Sequence, residues 1–97
     1  MNSNKADLLL REHVPLDEAS FADLVVWHLP RALPGSGHRY KYRLAYIEND
    51  VCVIRYDNEA GKGDHRHIRG RETAYAFTDP GQLQVDFWTD VDLWRRR

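Results

Sequence analysis

The fold of this chain is decided by residues 39–56, which read RYKYRLAYIENDVCVIRY. The first half alternates tyrosine or leucine with basic or small residues, which is the period of a β-strand. Glu48-Asn49-Asp50 is typical of a turn, and the β-branched and aromatic residues of 51–56 indicate a returning strand. The stretch therefore predicts an antiparallel hairpin.

The length of this turn decides which side chains share a face, because a slip of one residue reverses every side chain of a strand. A two-residue loop, which the sequence favours, places Tyr42 opposite Asp57. Arg55 and Asp57 then lie on the tyrosine face of the sheet, away from Lys41 and Arg43. A three-residue loop gives the opposite assignment, so the turn chemistry determines the neighbours of the acidic residue.

The sequence around the hairpin predicts further strands. Two are expected before it, at 6–14 and 21–29, separated by polar residues and a proline that suit a tight connection. After it, residues 65–77 contain either one interrupted strand or a turn followed by a short strand. The loop between the second and third strands is rich in proline and glycine, which do not favour a ladder.

A C-terminal helix is expected because apolar residues recur at helical spacing. Leu83, Phe87, Val91 and Trp94 form this stripe, with Pro80 in the first turn and Thr78 or Asp79 as the N-cap. The stripe should bury against the sheet. The side chains expected to stay in solvent are Asp86, Asp90 and Arg95 to Arg97. The fold class predicted is α+β: an antiparallel meander of four to five strands with one C-terminal helix packed on the sheet.

Composition limits the class of protein. Ninety-seven residues, of which 42% are hydrophobic, suit a single folded domain over residues 1–97. The formal net charge of −1 does not by itself call for nucleic acid. The sequence shows neither a signal peptide nor an apolar run of about 20 residues, so we expect a cytoplasmic location and no membrane partner. Cys52 is expected to be a small buried residue.

The highest concentration of charged residues and histidines lies in His65-Arg66-His67 and the residues just before it. Residues that are two positions apart on a strand project to the same face, so both imidazoles should lie on one side of the sheet. Such a pair can divide general base and general acid roles near neutral pH. Cleavage of RNA through its own 2′-hydroxyl needs this pair and a cation for the phosphorane charge. The cations available are Arg55, Lys62, Arg66 and Lys41.

Other interpretations of the same residues remain open. The two histidines with Asp57 or Asp64 could hold a divalent metal, or they could be solvated loop residues. Gly61-Lys62-Gly63 could cradle a phosphate or simply form a hairpin connection. The tyrosines and basic residues of 39–46 suit stacked bases and phosphates, but they equally suit an ordinary amphipathic strand.

Three segments carry a family resemblance. They are HRYKYRLAY at 38–46, RYDNE at 55–59 and GKGDHRH at 61–67. Together they resemble the TumE family, and the likeness extends over nearly the whole chain. The resemblance implies the toxin of a type II toxin–antitoxin pair, whose partner is a helix-turn-helix antitoxin encoded beside it.

The resemblance does not settle the reaction; ribonuclease action is the commonest mode among toxins of this size, which is an analogy. We expect a metal-independent ribonuclease without a cofactor, acting on RNA. The alternatives are a non-catalytic module that binds protein or nucleic acid, a metal-dependent nuclease, and an enzyme that modifies nucleotide or RNA termini. The candidate catalytic residues are His65, His67, Asp57, Asp64, Arg55 and Arg66. The candidate substrate-binding residues are Lys41, Arg43, Lys62 and Asn58.

Overall fold

Each strand of the sheet pairs with the strand that follows it in the sequence. In the computed structural model, which describes residues 5–97, six antiparallel strands form one sheet in the order of the chain. The strands are β1 (Asp7–Asp17), β2 (Ser20–His28), β3 (Tyr40–Glu48), β4 (Val51–Glu59), β5 (Gly63–Ile68) and β6 (Arg71–Ala74), and helix α1 spans Pro80–Arg95. The expected α+β meander with a C-terminal helix is confirmed, but the expected count of four to five strands is wrong.

The additional strand follows from a tight turn at Arg69-Gly70. Both residues have positive φ angles, 53° and 78°, and Ile68 pairs with Arg71 across them. This is a two-residue hairpin loop, whose left-handed backbone matches the twist of the strands. Arginine rarely adopts this conformation, so the turn signal is weak, and the sequence left open either one interrupted strand or a turn followed by a short strand.

The loop between β3 and β4 has the predicted two residues. Asn49 and Asp50 take positive φ angles of 52° and 64°, and Glu48 pairs with Val51. Asn and Asp tolerate this backbone better than other residues with a side chain. The turn prediction is confirmed, and Ala19 accepts a hydrogen bond of 2.9 Å from the backbone of Asn49.

A bulge in β4 nevertheless reverses the predicted faces. Ile47 pairs with Cys52, but Tyr46 pairs with Ile54, which leaves Val53 as an extra residue. Beyond the bulge every partner is shifted by one position, so Arg43 lies opposite Asp57. The prediction that Arg55 and Asp57 share the tyrosine face is therefore wrong, because the bulge has the effect of the three-residue loop.

The core lies between the sheet and α1. Leu83, Phe87 and Val91 are buried and Trp94 is half-buried, which confirms the helical stripe. Asp79 is the N-cap, accepting a hydrogen bond of 2.8 Å from the backbone of Gln82. The helix packs on β3 and β4. The buried strand residues that meet this stripe are Ala22, Leu24, Val26, Tyr42, Leu44, Tyr46, Ile54 and Tyr56.

Polar side chains of α1 are bonded to the sheet rather than left in solvent. The Tyr75 hydroxyl donates to Asp86 at 2.5 Å, and the Tyr56 hydroxyl donates to Asp90. Arg95 donates to the Tyr46 hydroxyl at 3.0 Å. The prediction that Asp86 and Asp90 stay in solvent is wrong, because the tyrosines that pack beneath the helix carry hydroxyls that need partners. Arg95, Arg96 and Arg97 are exposed, as predicted.

Candidate functional site

The helix covers one face of the sheet and leaves the other uncovered; we call the uncovered side the open face. Residues paired across antiparallel strands project on the same side, so the pairing identifies its members. Cys52 belongs to this side and is exposed, so the prediction that it is buried is wrong. The charged residues and histidines of the open face include Arg11, His13, Asp23, Lys41, Arg43, Arg55, Asp57, Glu59, His65, His67 and Glu72.

Three adjacent strands bring five of these residues together. Asp57 pairs with His65 and Arg55 pairs with His67 between β4 and β5, and His67 pairs with Glu72 between β5 and β6. We call these five residues the imidazole cluster. It places both histidines on one face, as their spacing of two predicts, and it sets a guanidinium and two carboxylates around them.

Arg55 is the central contact of the imidazole cluster. Its Nη2 donates a hydrogen bond of 3.0 Å to Nε2 of His67. Its Nε lies 3.1 Å from Oδ2 of Asp57, an ion-pair contact that lacks hydrogen-bond geometry. Asp57 in turn approaches Nε2 of His67 at 3.8 Å. The guanidinium is therefore oriented by a carboxylate and directed at an imidazole.

Glu72 joins the two histidines. Its Oε1 lies 3.4 Å from Nδ1 of His65 and 3.5 Å from Nε2 of His67. The two ring nitrogens can be no further apart than the sum of these contacts. Sequence reasoning missed Glu72, and the signal that could have revealed it is the turn at Arg69-Gly70, which folds β6 back beside β5.

The hydrogen-bond partners place a proton on Nε2 of His65 but not on Nε2 of His67. Nε2 of His65 lies 2.6 Å from the carbonyl oxygen of Lys62, so that nitrogen must carry a proton. Nε2 of His67 accepts from Arg55, so that nitrogen is unprotonated. Within residues 5–97, Nδ1 of His65 is buried without a hydrogen bond, and Glu72 is the acidic group beside it. The two rings are therefore held through different contacts: His67 by a cation at its unprotonated nitrogen, and His65 by a carbonyl at its protonated one.

Both histidines are sheltered but reachable. The side chains of His65 and His67 are 25% and 22% exposed, and that of Glu72 is 53% exposed. A polar ligand lying on the open face can therefore contact the rings without any rearrangement of the core.

Asp64 and Arg66 lie on the opposite, helix-covered face. Oδ2 of Asp64 is 2.8 Å from Nε2 of His38 and accepts a hydrogen bond of 2.6 Å from the Tyr42 hydroxyl. Burial, followed by this hydrogen bond, raises the pKa of Tyr42 far above its usual value. Arg66 contacts Asp90 of α1 at 3.5 Å. The structure therefore separates these two candidates from the imidazoles.

Asn58 is a structural residue. It is buried, its Oδ1 accepts from the backbone of Tyr42 at 3.0 Å, and its Nδ2 donates to the carbonyl of Tyr40 at 2.7 Å. The register between β3 and β4 ends at Arg43 and Asp57, and the amide replaces the missing backbone ladder beyond that point. The prediction that Asn58 binds substrate does not fit an amide occupied on both sides.

The three predicted basic contacts take different positions. Nζ of Lys41 donates to the backbone carbonyl of Asn58. Lys62 stands at the exposed tip of the β4–β5 hairpin, 3.3 Å from Glu59. Arg43 is exposed beside Asp57 and lines a surface depression of about 390 Å³ on the open face. Arg43 is therefore the predicted basic residue beside the imidazole cluster that has no side-chain partner within residues 5–97.

Neither a metal-binding group nor a membrane-spanning helix is found within residues 5–97. This part of the chain contains no group of three or more His, Cys, Asp or Glu residues placed to hold a metal ion. Its single helix is neither long enough nor apolar enough to cross a membrane.

Comparison with known protein families gives a match over nearly the whole chain. The model of a family described as toxin TumE matches residues 5–95 of this chain. Neither a search of curated proteins nor one of solved structures found a match. The matched segment includes all six strands, the imidazole cluster and α1.

Proposed function

The chain belongs to the TumE toxin family, and from this membership we propose that it is a toxin that cleaves RNA on the open face of its sheet. Membership of a toxin family implies an antitoxin partner. We propose a helix-turn-helix antitoxin encoded beside the toxin for that role. The reaction proposed is metal-independent attack by the 2′-hydroxyl of the RNA on its own phosphate.

The observation that supports this proposal is the different bonding of the two imidazoles. Nε2 of His67 is unprotonated and faces Arg55, whereas Nε2 of His65 carries a proton and its Nδ1 faces Glu72. A general base begins the reaction with an unprotonated nitrogen and a general acid with a proton to give. The contacts at Nε2 of His67 and Nε2 of His65 support this division of roles, and the proposal adds a second proton on Nδ1 of His65, beside Glu72.

The proposed step balances with these two rings. Arg55 first turns from Nε2 of His67 to the phosphate, which frees the lone pair of that nitrogen and stabilises the developing charge. Nε2 of His67 then takes the proton of the 2′-hydroxyl as O2′ forms a bond to phosphorus. The bond from phosphorus to O5′ breaks, and the imidazolium form of His65 gives a proton to the leaving oxygen. The products are a 2′,3′-cyclic phosphate and a 5′-hydroxyl, and His67 ends with one proton more and His65 with one proton fewer.

The supporting roles follow from position. Asp57 holds Arg55 by the 3.1 Å contact, and Arg43 binds the RNA backbone from the neighbouring strand. Asp64 and Arg66 take no part at the reacting atoms, because they face α1. They stabilise the strand that carries both histidines.

A second candidate function is a non-catalytic module that inhibits a partner by binding it. It is favoured by the engagement of both imidazoles within the chain, since Lys62 and Arg55 already occupy one nitrogen of each ring. In that case the imidazole cluster stabilises the packing of β4, β5 and β6 against one another. Substitution of the histidines then lowers the free energy of unfolding rather than an enzymatic rate.

The two functions are separated by His65→Ala and His67→Ala, with His28→Ala as the matched control. His28 ends β2 beside Tyr40, away from the imidazole cluster. Each protein is purified with its antitoxin, released, and incubated with total RNA with and without EDTA. We expect wild type and His28→Ala to cleave RNA in both conditions, and the two site variants to lose cleavage and growth arrest while remaining folded. Growth arrest that persists in both site variants would contradict the acid–base proposal.

A further inference from the structure

The open face continues beyond the imidazole cluster into a second site. A depression of about 390 Å³ lies over β1, β2 and β3, and its lining includes Arg11, His13, Asp23, Val25 and Arg43. None of the first four is used in the proposed reaction. Arg43 belongs to both regions, because it lines the depression and pairs with Asp57.

The register aligns this depression with the reacting groups. Arg11 pairs with Val25, Val25 with Arg43, and Arg43 with Asp57, which pairs with His65. Strands lie about 4.8 Å apart, so Arg43 is about 10 Å from His65 across the sheet. A chain bound with one phosphate at the imidazoles can therefore place its next unit in the depression.

The lining of the depression combines two guanidinium groups with His13 and with two carboxylates, those of Glu12 and Asp23. Two guanidinium groups, Arg11 and Arg43, stand on opposite sides of the half-buried Val25 and can bind phosphate oxygens. Val25 offers an apolar floor for a base. Oδ1 of Asp23 is held 2.6 Å from Nδ1 of His13, which fixes the carboxylate at the rim. A carboxylate accepts hydrogen bonds from base amino groups, above all N4 of cytosine.

We propose that this depression binds the nucleotide next to the cleaved phosphate of a single-stranded RNA, with a preference for cytosine over uracil. The strand must be single because a paired base cannot present its Watson–Crick edge to Asp23. The identity of the ligand rests on the proposed function, but binding itself does not require cleavage.

The test therefore uses probes that cannot be cleaved through a 2′-hydroxyl. Fluorescent oligo(C) and oligo(U), 2′-O-methylated throughout, are titrated with protein and followed by anisotropy. Wild type is expected to prefer oligo(C) by at least about fivefold. Arg11→Gln should weaken binding of both probes by about tenfold. It should also lower the slope of the logarithm of the affinity against the logarithm of the salt concentration by about one. Asp23→Asn should abolish the preference for cytosine.

The matched control is Arg71→Gln, which removes the same charge from an exposed residue paired with Ile68 on the helix-covered side. Control and wild type should bind alike. The double variant His65→Ala/His67→Ala should keep the cytosine preference, which separates the depression from the reaction.

Two results overturn this proposal. The first is that Arg11→Gln and Asp23→Asn bind both probes as wild type does, whether or not wild type cleaves RNA. The second is that these variants no longer bind the antitoxin but still bind the probes. The depression would then be a protein interface. The protein could bind the probes with the expected variant effects and yet fail to cleave unmodified RNA. That result supports nucleotide binding in the depression and contradicts only the proposed function.

Discussion

Arg55 donates a hydrogen bond of 3.0 Å to Nε2 of His67. A guanidinium has no acceptor atom and stays charged in proteins, so the imidazole must supply the lone pair. This contact fixes the proton of neutral His67 on Nδ1. It also keeps a cation beside the nitrogen that is proposed to act as the base.

The first prediction concerns the protonation of the two rings. In ¹⁵N-labelled protein at pH 7.5, Nε2 of His67 should resonate as an unprotonated nitrogen and Nε2 of His65 as a protonated one. The Arg55→Ala variant should remove the preference at His67, because no other donor fixes the tautomer. Equal tautomer populations at His67 in wild type would contradict the assignment.

The second prediction concerns Glu72, a positioning residue that contacts both imidazoles. Glu72→Gln keeps the shape of the side chain but removes the negative charge that lies 3.4 Å from Nδ1 of His65 and 3.5 Å from Nε2 of His67. We expect kcat to fall by about tenfold or more, with little change in KM and with a changed pH profile of kcat. Because Glu72 is largely exposed, stability should change by less than about 0.5 kcal/mol.

The control for this variant is Glu18→Gln, at the exposed turn between β1 and β2. It makes the same chemical change far from the imidazole cluster and should leave kcat and the pH profile unaltered. If the Glu72→Gln variant has the kcat and pH profile of wild type, Glu72 is not a positioning residue of the site.

The third prediction concerns Asn58, whose amide replaces backbone pairing between β3 and β4. Asn58→Ala leaves buried backbone groups of Tyr42 and Tyr40 without partners, which should cost about 2–3 kcal/mol in the free energy of unfolding. The comparison is Lys62→Ala at the exposed hairpin tip, which should cost less than about 0.5 kcal/mol. If Asn58→Ala keeps wild-type stability and raises KM instead, Asn58 binds substrate after all.

The fourth prediction concerns alkaline pH. Burial and a carboxylate partner raise the pKa of Tyr42, Tyr56 and Tyr75 in the folded state. The unfolded state then releases tyrosine protons near pH 10 while the folded state keeps them, so stability is fully present below that pH and falls above it. The loss should approach about 1.4 kcal/mol per pH unit for each such tyrosine.

Urea unfolding at pH 8, 9, 10 and 10.5 measures this effect, and tyrosine absorbance follows the ionisation directly. The Tyr42→Phe variant should show a shallower decline than wild type above pH 10. Unfolding midpoints that are the same at pH 8 and pH 10.5 would contradict the three raised pKa values.

The sequence predicted those features that depend on local patterns. The turn at Asn49-Asp50 and the stripe of α1 follow from residue chemistry and period alone. The projection of His65 and His67 to one side follows equally from their spacing of two, whatever the register of the strand. Local signals therefore predicted the sheet, the helix and the pairing of the imidazoles.

The face on which the site lies depended on one residue that no local signal marks. Nothing in Val51-Cys52-Val53-Ile54 shows which residue forms the bulge, yet Val53 alone moves Arg55 and Asp57, together with the histidines paired to them, from the tyrosine face to the open face. Glu72 was missed for a related reason, since the turn at Arg69-Gly70 lacks the asparagine or aspartate that usually marks such loops. Partners across strands come from register, which the whole sheet decides.

The central claim is that His67 and His65 exchange a proton around a phosphate on the open face. Its most direct test is the analysis of the RNA ends produced by purified toxin in EDTA, with His65→Ala and His67→Ala alongside. The account predicts 2′,3′-cyclic phosphate and 5′-hydroxyl ends from wild type, no cleavage of an RNA carrying 2′-O-methyl groups, and at least about a hundredfold loss of rate in each variant. Wild-type rates in both variants, or 5′-phosphate ends, would contradict it.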